Sequence, residues 1–314
     1  MSTDFFSLLS LLLLGFSIGV LSGCFGIGGA FILTPTLTAL GMPITLAIGT
    51  GLAFSAGVAS LGSYKHFLSG NVSVRVTLYI GAICLVGIKL SQGLVLYLEK
   101  LHQADFYIGI TYVVILLTVG IAMYKKGKSS TVTGASTIAP HFFWEKLPPF
   151  VLINQTQKTS LWILLFIGLL VGFLQGFLGV GGGFILVPLF IWVLKMKPHL
   201  AIGTSLLTLL LTSIYATTLY FYAGKVLFPV ACVLLLGSTL GVQVGIKTMK
   251  IATEDQLTKG LAVFIGLGAV GIILRLFHQD TLSLWYTLSL ISFATLRIIY
   301  TYYFKVKNVA HSLH

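Results

Sequence analysis

Acidic residues are scarce in this chain of 314 residues, and none stands where a membrane protein would use one. All seven, Asp4, Glu99, Asp105, Glu145, Glu254, Asp255 and Asp280, lie at a terminus, in a loop or at the end of an apolar segment. Carriers coupled to sodium or protons, and cation pathways, commonly place a carboxylate in mid-membrane. The missing acid argues against cation transport and against carboxylate-mediated proton coupling. It also removes the carboxylate pair that an intramembrane hydrolase would need for general acid and base work. Charged residues of both signs make up only 8% of the chain, where a soluble domain carries about a quarter. The three cysteines, Cys24, Cys84 and Cys232, have neither CxxC nor metal-ligand spacing, so each reads as a small residue of the apolar core. No cofactor and no metal are implied.

What is present instead is apolar sequence. Hydrophobic residues make up 57% of the chain, and runs longer than the roughly 18 residues needed to cross a bilayer recur along it. These define an all-α integral membrane protein with about 8–10 transmembrane segments. The polar breaks predict segments at 5–24, 28–41, 43–67, 72–98 and 105–124, then at 160–179, 183–195, 199–223, 226–247 and 257–277. The organisation expected is a first transmembrane repeat over 5–124, a cytoplasmic linker over 125–159, a second repeat over 160–277 and an additional helix over 281–304. The run Phe5–Val20 lacks the basic flank of a secretory signal and belongs to the first repeat.

The net charge of +12 does not point to nucleic acid, because the basic residues lie mostly in short loops, as the positive-inside rule expects. Placing the linker lysines, Lys65, Arg75, Lys195, Lys197, Lys247, Lys250, Lys259, Lys305 and Lys307 in the cytoplasm puts Gly41–Pro43 outside. Its repeat equivalent beside Lys195 then lies inside, so the two pseudo-symmetric repeats are expected to be inverted, each with an odd number of crossings.

The repeat itself is explicit. LSGCFGIGGAFILTP, Leu21–Pro35, returns as LQGFLGVGGGFILVP, Leu174–Pro188, with nine of fifteen positions identical and four of those nine glycine. AIGT follows each block, at Ala47–Thr50 and Ala201–Thr204. Each glycine weakens a helix by roughly 1 kcal/mol relative to alanine, so Gly23, Gly26, Gly28 and Gly29, and their counterparts Gly176, Gly179, Gly181, Gly182 and Gly183, predict a broken helix in each repeat. A new helix is expected to start at about Ala30 and at Gly183. Two such starts from opposed repeats, with free N–H groups and positive dipole ends, would face one small anion from both sides. Close helix packing through small residues is the competing explanation of the glycines. A dinucleotide-binding reading fails, because no strand precedes the motif and no carboxylate follows at the required distance.

Other candidates are polar or basic. Thr50 and Thr204 close the two AIGT elements in register, with Ser55, Ser205, Thr208 and Gln175 nearby. Hydroxyls and amides suit oxyanion oxygens, although Ser and Thr also bond back to their own helix. Lys89 lies deep in its segment with no acid to pair it, so an anionic substrate or an outward snorkel would have to serve. Its repeat equivalent is Gln243. His66, beside Lys65, reads as an interfacial histidine at a cytoplasmic helix end.

The blocks GCFGIGGAFILTP and GFLGVGGGFILVP, each followed by AIGT, resemble the sulfite exporter TauE/SafE family of membrane transporters, from about Gly15 to Phe277. The elements YAGKV, Tyr222–Val226, and LSGNV, Leu68–Val72, fit the likeness. The resemblance implies export or permeation of sulfite, sulfoacetate or related sulfur-containing anions. It does not fix the substrate, and the linker and final segment fit the family pattern less well. The expected protein is therefore a secondary transporter in a bacterial plasma membrane. Its anion site would comprise Gly26, Gly28, Gly29, Ala30, Thr50, Lys89, Gln175, Gly179, Gly181, Gly182, Gly183, Thr204 and Gln243. One repeat would rock against the other. An anion channel, or a permease for another oxyanion, is the alternative. Neither the partner beyond a small anion and the bilayer nor the oligomeric state is legible.

Overall fold

The computed structural model describes residues 8–26, 28–129, 150–152, 158–277 and 279–311. Eleven helices fill most of them: α1 Leu8–Phe25, α2 Ala30–Ala39, α3 Ile44–Leu68, α4 Val74–Lys100, α5 Ala104–Ser129, α6 Leu161–Leu178, α7 Gly183–Trp192, α8 Pro198–Tyr222, α9 Phe228–Ile251, α10 Glu254–Leu276 and α11 Asp280–His311. Among the described residues, nine of these are long and apolar enough to cross a membrane, the exceptions being α2 and α7. Within the linker, Phe150–Leu152 (β1) pairs antiparallel with Lys158–Ser160 (β2). Its Lys146 and Pro148-Pro149 lie outside the described residues.

The direction of each helix follows from its neighbours. A Cβ added to Gly19 would lie 2.7 Å from the Ser238 carbonyl oxygen, and Gly15 and Gly23 meet Leu234 and Val242 in the same order, so α1 runs parallel to α9 at backbone contact. In the same way Gly172 lies against the backbone of Cys84, and Gly168 and Gly176 against Ile80 and Ile88, so α6 runs parallel to α4. Small residues at every fourth position permit this approach, as they do in other membrane helix pairs. The first helix of each half thus packs on a helix of the other half. The halves are interlocked rather than side by side.

Helices α3 and α8, equivalent in the two repeats, lie against each other head to tail. Thr50 near the start of α3 accepts the N–H of Leu227, just after α8, at 3.0 Å. Thr204 near the start of α8 accepts the N–H of Ser73, just after α3, at 3.0 Å. Opposite direction at equivalent positions is consistent with the expected inversion. Each glycine break then turns the chain back on itself. Gly29 lies against Ile18, and Gly182 against Val171 and Gln175, so α1–α2 and α6–α7 are hairpins that enter from opposite ends and leave where they entered.

This arrangement sorts the charges. At one end are Lys65, Arg75, Lys195, Lys197, Lys247 and Lys250, which the positive-inside rule makes cytoplasmic. At the other end, two basic residues have acid partners: Lys225 with Glu99 at 2.6 Å, and Arg275 with Asp105 at 2.9 Å. Cys24 and Cys84 are buried as expected, whereas Cys232 is exposed on α9, the face turned away from the bundle. Apolar sequence on all sides of a membrane helix hides which face meets lipid.

Two predictions follow from this packing. Gly172→Leu should force α6 off α4 and cost about 1–3 kcal/mol, seen as a lowered melting temperature in detergent. Gly93→Ala, at a position with open space around it, should not lower the melting temperature and should raise it slightly, since alanine favours the helix. Thr50→Val and Thr204→Val should each cost about 1–3 kcal/mol, because each strands an N–H of the opposite repeat, and equal losses would confirm their equivalent roles.

Candidate functional site

Helix α1 ends because Gly26, Gly28 and Gly29 take φ of +70°, +75° and +78°. Helix α6 ends through Gly179, Gly181 and Gly182 at +68°, +70° and +69°. Residues with a Cβ avoid this left-handed region, which is why both reversals are built of glycine. The new helices begin at Ala30 and Gly183, where the sequence places them. Among the described residues neither start is capped by a side chain. A helix start leaves several N–H groups without partners inside the helix, with partial positive charge.

The two reversals meet at the centre. A Cβ on Gly28 would come 2.7 Å from Leu209 and 3.6 Å from the Ser55 hydroxyl; one on Gly181 would come 2.8 Å from that hydroxyl and 3.6 Å from Leu209. Ser55 and Leu209 stand five residues after Thr50 and Thr204, so they are repeat equivalents and the pseudo-twofold axis passes between them. The Ser55 hydroxyl donates to the Gly28 carbonyl at 2.7 Å. Hydroxyls also tie each loop to the other half: Thr34 donates to the Gly179 carbonyl at 3.2 Å, and Ser205 to the Gly26 carbonyl at 3.1 Å.

Two polar groups at this centre have no partner. Ser22 Oγ and Gln175 Oε1 are both buried and make no hydrogen bond among the described residues. They are repeat equivalents, each four residues before the first left-handed glycine. Gln175 Nε2 donates to the Ser213 hydroxyl at 3.1 Å, while Oε1 would lie 3.2 Å from a Cβ on Gly182. Buried polar groups are nearly always paired, so two equivalent free ones mark a place where a ligand or water completes the bonding. All side chains named here, Ser22, Ser55, Gln175, Ser205, Leu209 and Ser213, have no exposed surface. The centre is closed on both sides. A crevice lined by Phe31, Pro35, Leu116, Phe264, Ile272 and Ile291 lies apart from it, between α2, α5, α10 and α11, and is almost wholly apolar.

Of the residues expected at the site, the structure brings together Gly26, Gly28, Gly29, Ala30, Gly179, Gly181, Gly182, Gly183 and Gln175. The hydroxyls of Thr50 and Thr204 are occupied by backbone N–H groups of the opposite repeat. Lys89 and Gln243 lie elsewhere, exposed at equivalent positions on the outer faces of α4 and α9. Their neighbours Gly87, Ile88, Ser91 and Gln92 form the inward stripe of α4, and Lys89 falls between its turns. Ser22 escaped the sequence reading. Its signal was available in the alignment of LSG with LQG, which pairs it with Gln175.

Residues 11–297 match the protein family described as sulfite exporter TauE/SafE. The probable membrane transporter protein YjnA of Bacillus subtilis is 28% identical, over 75% of this chain and 88% of its own. A probable membrane transporter protein of Methanocaldococcus jannaschii is 26% identical over 84% and 95% of the two chains. Another, of Xylella fastidiosa, is 25% identical over 84% and 92%. No solved structure matches the chain. The family and these relatives are transporters, not enzymes. With a match that covers almost the whole chain and both glycine reversals, the protein belongs to the sulfite exporter TauE/SafE family of membrane transporters.

Proposed function

We propose that this integral membrane transporter carries small sulfur-containing anions, such as sulfite or organosulfonates, by alternating access in a bacterial plasma membrane. The observation that carries the reading is the meeting of two uncapped helix starts around Ser55 and Leu209, with the free polar atoms of Ser22 and Gln175 beside them. Backbone N–H groups at Gly28–Ala30 and at Gly181 and Gly182 would supply donors and partial positive charge, the Gly183 N–H being turned back to the Gly181 carbonyl at 2.9 Å. Ser22 and the Gln175 amide add neutral bonds to the oxygens of the anion, and either end of that amide can face the ligand because Ser213 can both donate and accept. An oxyanion with several acceptor oxygens matches such a donor set better than a bare halide.

The closed centre favours a carrier over a channel, which would keep a continuous polar path. The moving bodies differ from the sequence expectation. With α1 on α9 and α6 on α4, each pair spans the two repeats, so we propose that α1, α3 and α9 shift against α4, α6 and α8, sliding along the α3–α8 interface.

Purified protein in liposomes should take up sulfite and sulfonates in preference to chloride, with a rate that saturates. Ser22→Ala removes a hydroxyl that holds no internal bond, so the protein should fold normally while its affinity falls about tenfold or more, the worth of one hydrogen bond to a charged ligand. Gly28→Val with Gly181→Val should abolish uptake. Full uptake by Ser22→Ala and by the glycine double variant together would sink the central anion site.

A further inference from the structure

His66 was expected at the membrane interface, yet it is 1% exposed and both of its ring nitrogens lack a hydrogen-bond partner. Among the described residues it is the sole Asp, Glu, Lys, Arg or His in the buried class. Its counterpart in the second repeat explains the vacancy in its bonding. Tyr220 stands at the equivalent position: its Cβ lies 3.1 Å from a Cβ placed on Gly49, as that of His66 lies 3.0 Å from one on Gly203. The Tyr220 hydroxyl donates to the Gly176 carbonyl at 2.7 Å and closes the outer end over the α6 reversal. An imidazole is shorter than a phenol ring by more than a bond length. It cannot make the same reach toward Gly23.

The groups around His66 are basic. Helix α8 brings His199 and α9 brings Lys250 into its electrostatic range, and Lys65 precedes it on α3. Lys250 is exposed, His199 is half-buried with its Nδ1 against Met249 Sδ at 2.7 Å, and His66 is buried. The three therefore lead inward from the cytoplasmic end. Six residues beyond His199 along α8, Ser205 donates to the Gly26 carbonyl of the α1 reversal at 3.1 Å. At the outer end the equivalent places are closed: Tyr220 is bonded, and Lys225 is paired with Glu99, which also takes the Thr45 hydroxyl at 2.8 Å.

We infer that His66, His199 and Lys250 form a loading site for a small oxyanion at the cytoplasmic end, where the anion is held before it moves to the glycine centre. The inference rests on the transport reading above and gives it a direction, from the cytoplasm outward. A buried anion needs compensating charge and donors. His66 supplies both when it binds a proton, so anion binding and proton uptake at this site are linked and each favours the other. His199 and Lys250 draw the anion in from the bath. Because the linkage favours protonated His66, affinity at the cytoplasmic face is expected to fall as pH rises.

The test compares the two faces. Methanesulfonate is a suitable probe because it stays ionised throughout, so any pH effect belongs to the protein. Exchange is measured in liposomes of known orientation, with methanesulfonate varied at one face at a time. The wild-type protein should show a pH-dependent half-saturation at the cytoplasmic face alone. His66→Gln should raise that value about tenfold and flatten its pH profile, with the outer face unchanged. His66→Tyr, which copies the tyrosine of the other repeat, should act in the same direction, and retained exchange from the outer face shows that both variants are folded. A cytoplasmic-face value and pH profile unchanged in His66→Gln would overturn the loading site, as would equal changes at both faces. If the wild-type protein exchanges no anion from either face, the transport reading falls, and the loading site with it.

Discussion

Reversing a chain inside a membrane is possible only where its backbone groups find partners within the protein, and the rest of this structure answers that constraint. Each reversal exposes carbonyls and N–H groups that lipid cannot satisfy. The carbonyls are met by hydroxyls from α3, α8 and α2: Ser55 on Gly28, Ser205 on Gly26 and Thr34 on Gly179. Of the N–H groups at the helix starts, that of Gly183 is taken by the Gly181 carbonyl at 2.9 Å, while those of Gly28–Ala30, Gly181 and Gly182 have no such bond among the described residues. Gly51 leaves room for the Thr34 hydroxyl, which lies 2.8 Å from where its Cβ would stand, and Gly51 is the repeat equivalent of Ser205. One half therefore uses the hydroxyl of its long helix, and the other borrows one from the short helix. The pseudo-symmetry holds in geometry while the chemistry differs.

Interlocking follows from the same need. A hairpin that ends at mid-membrane has one long arm to bury, and the glycine stripes of α1 and α6 bury it at backbone contact against α9 and α4. Since those partners come from the opposite repeat, the reversals are held between two mixed bodies rather than within two separate repeats. A shift between these bodies necessarily changes the distance between Gly28 and Gly181, which meet across Ser55 and Leu209. The interface proposed to move and the place where the anion is proposed to bind are thus the same.

Much of this was legible in the sequence. Most helix ends fall within a few residues of the polar breaks, α5 and α11 running further, to Ser129 and His311, and the new helices start at Ala30 and Gly183, because glycine clusters and apolar runs act locally. Partner choice was not legible. A stripe such as Gly15, Gly19 and Gly23 announces a close neighbour without naming it, and here the neighbour belongs to the other repeat. Facing was equally hidden: in a helix apolar all round, Lys89 gives no periodic signal of lipid exposure, and burial and an outward snorkel stay equally open until the glycine stripe of α4 fixes the inward side. His66 failed in the opposite sense. It lies near a helix end by count, and only the overlying helices of the second repeat bury it.

The two ends of the molecule finally differ more than inverted repeats require. Equivalent helix turns hold Tyr220, Thr45 and a paired Lys225 outside, and His66, His199 and the neutral Asn71 inside. An ion pair and a tyrosine bond must break for the outer end to open, whereas the inner end holds no such bonds among the described residues at these positions. Symmetric backbones with asymmetric latches give a carrier a preferred resting side. On the export reading proposed above, the bonds that close the outside would place that side toward the cytoplasm, where an anion to be expelled would first arrive.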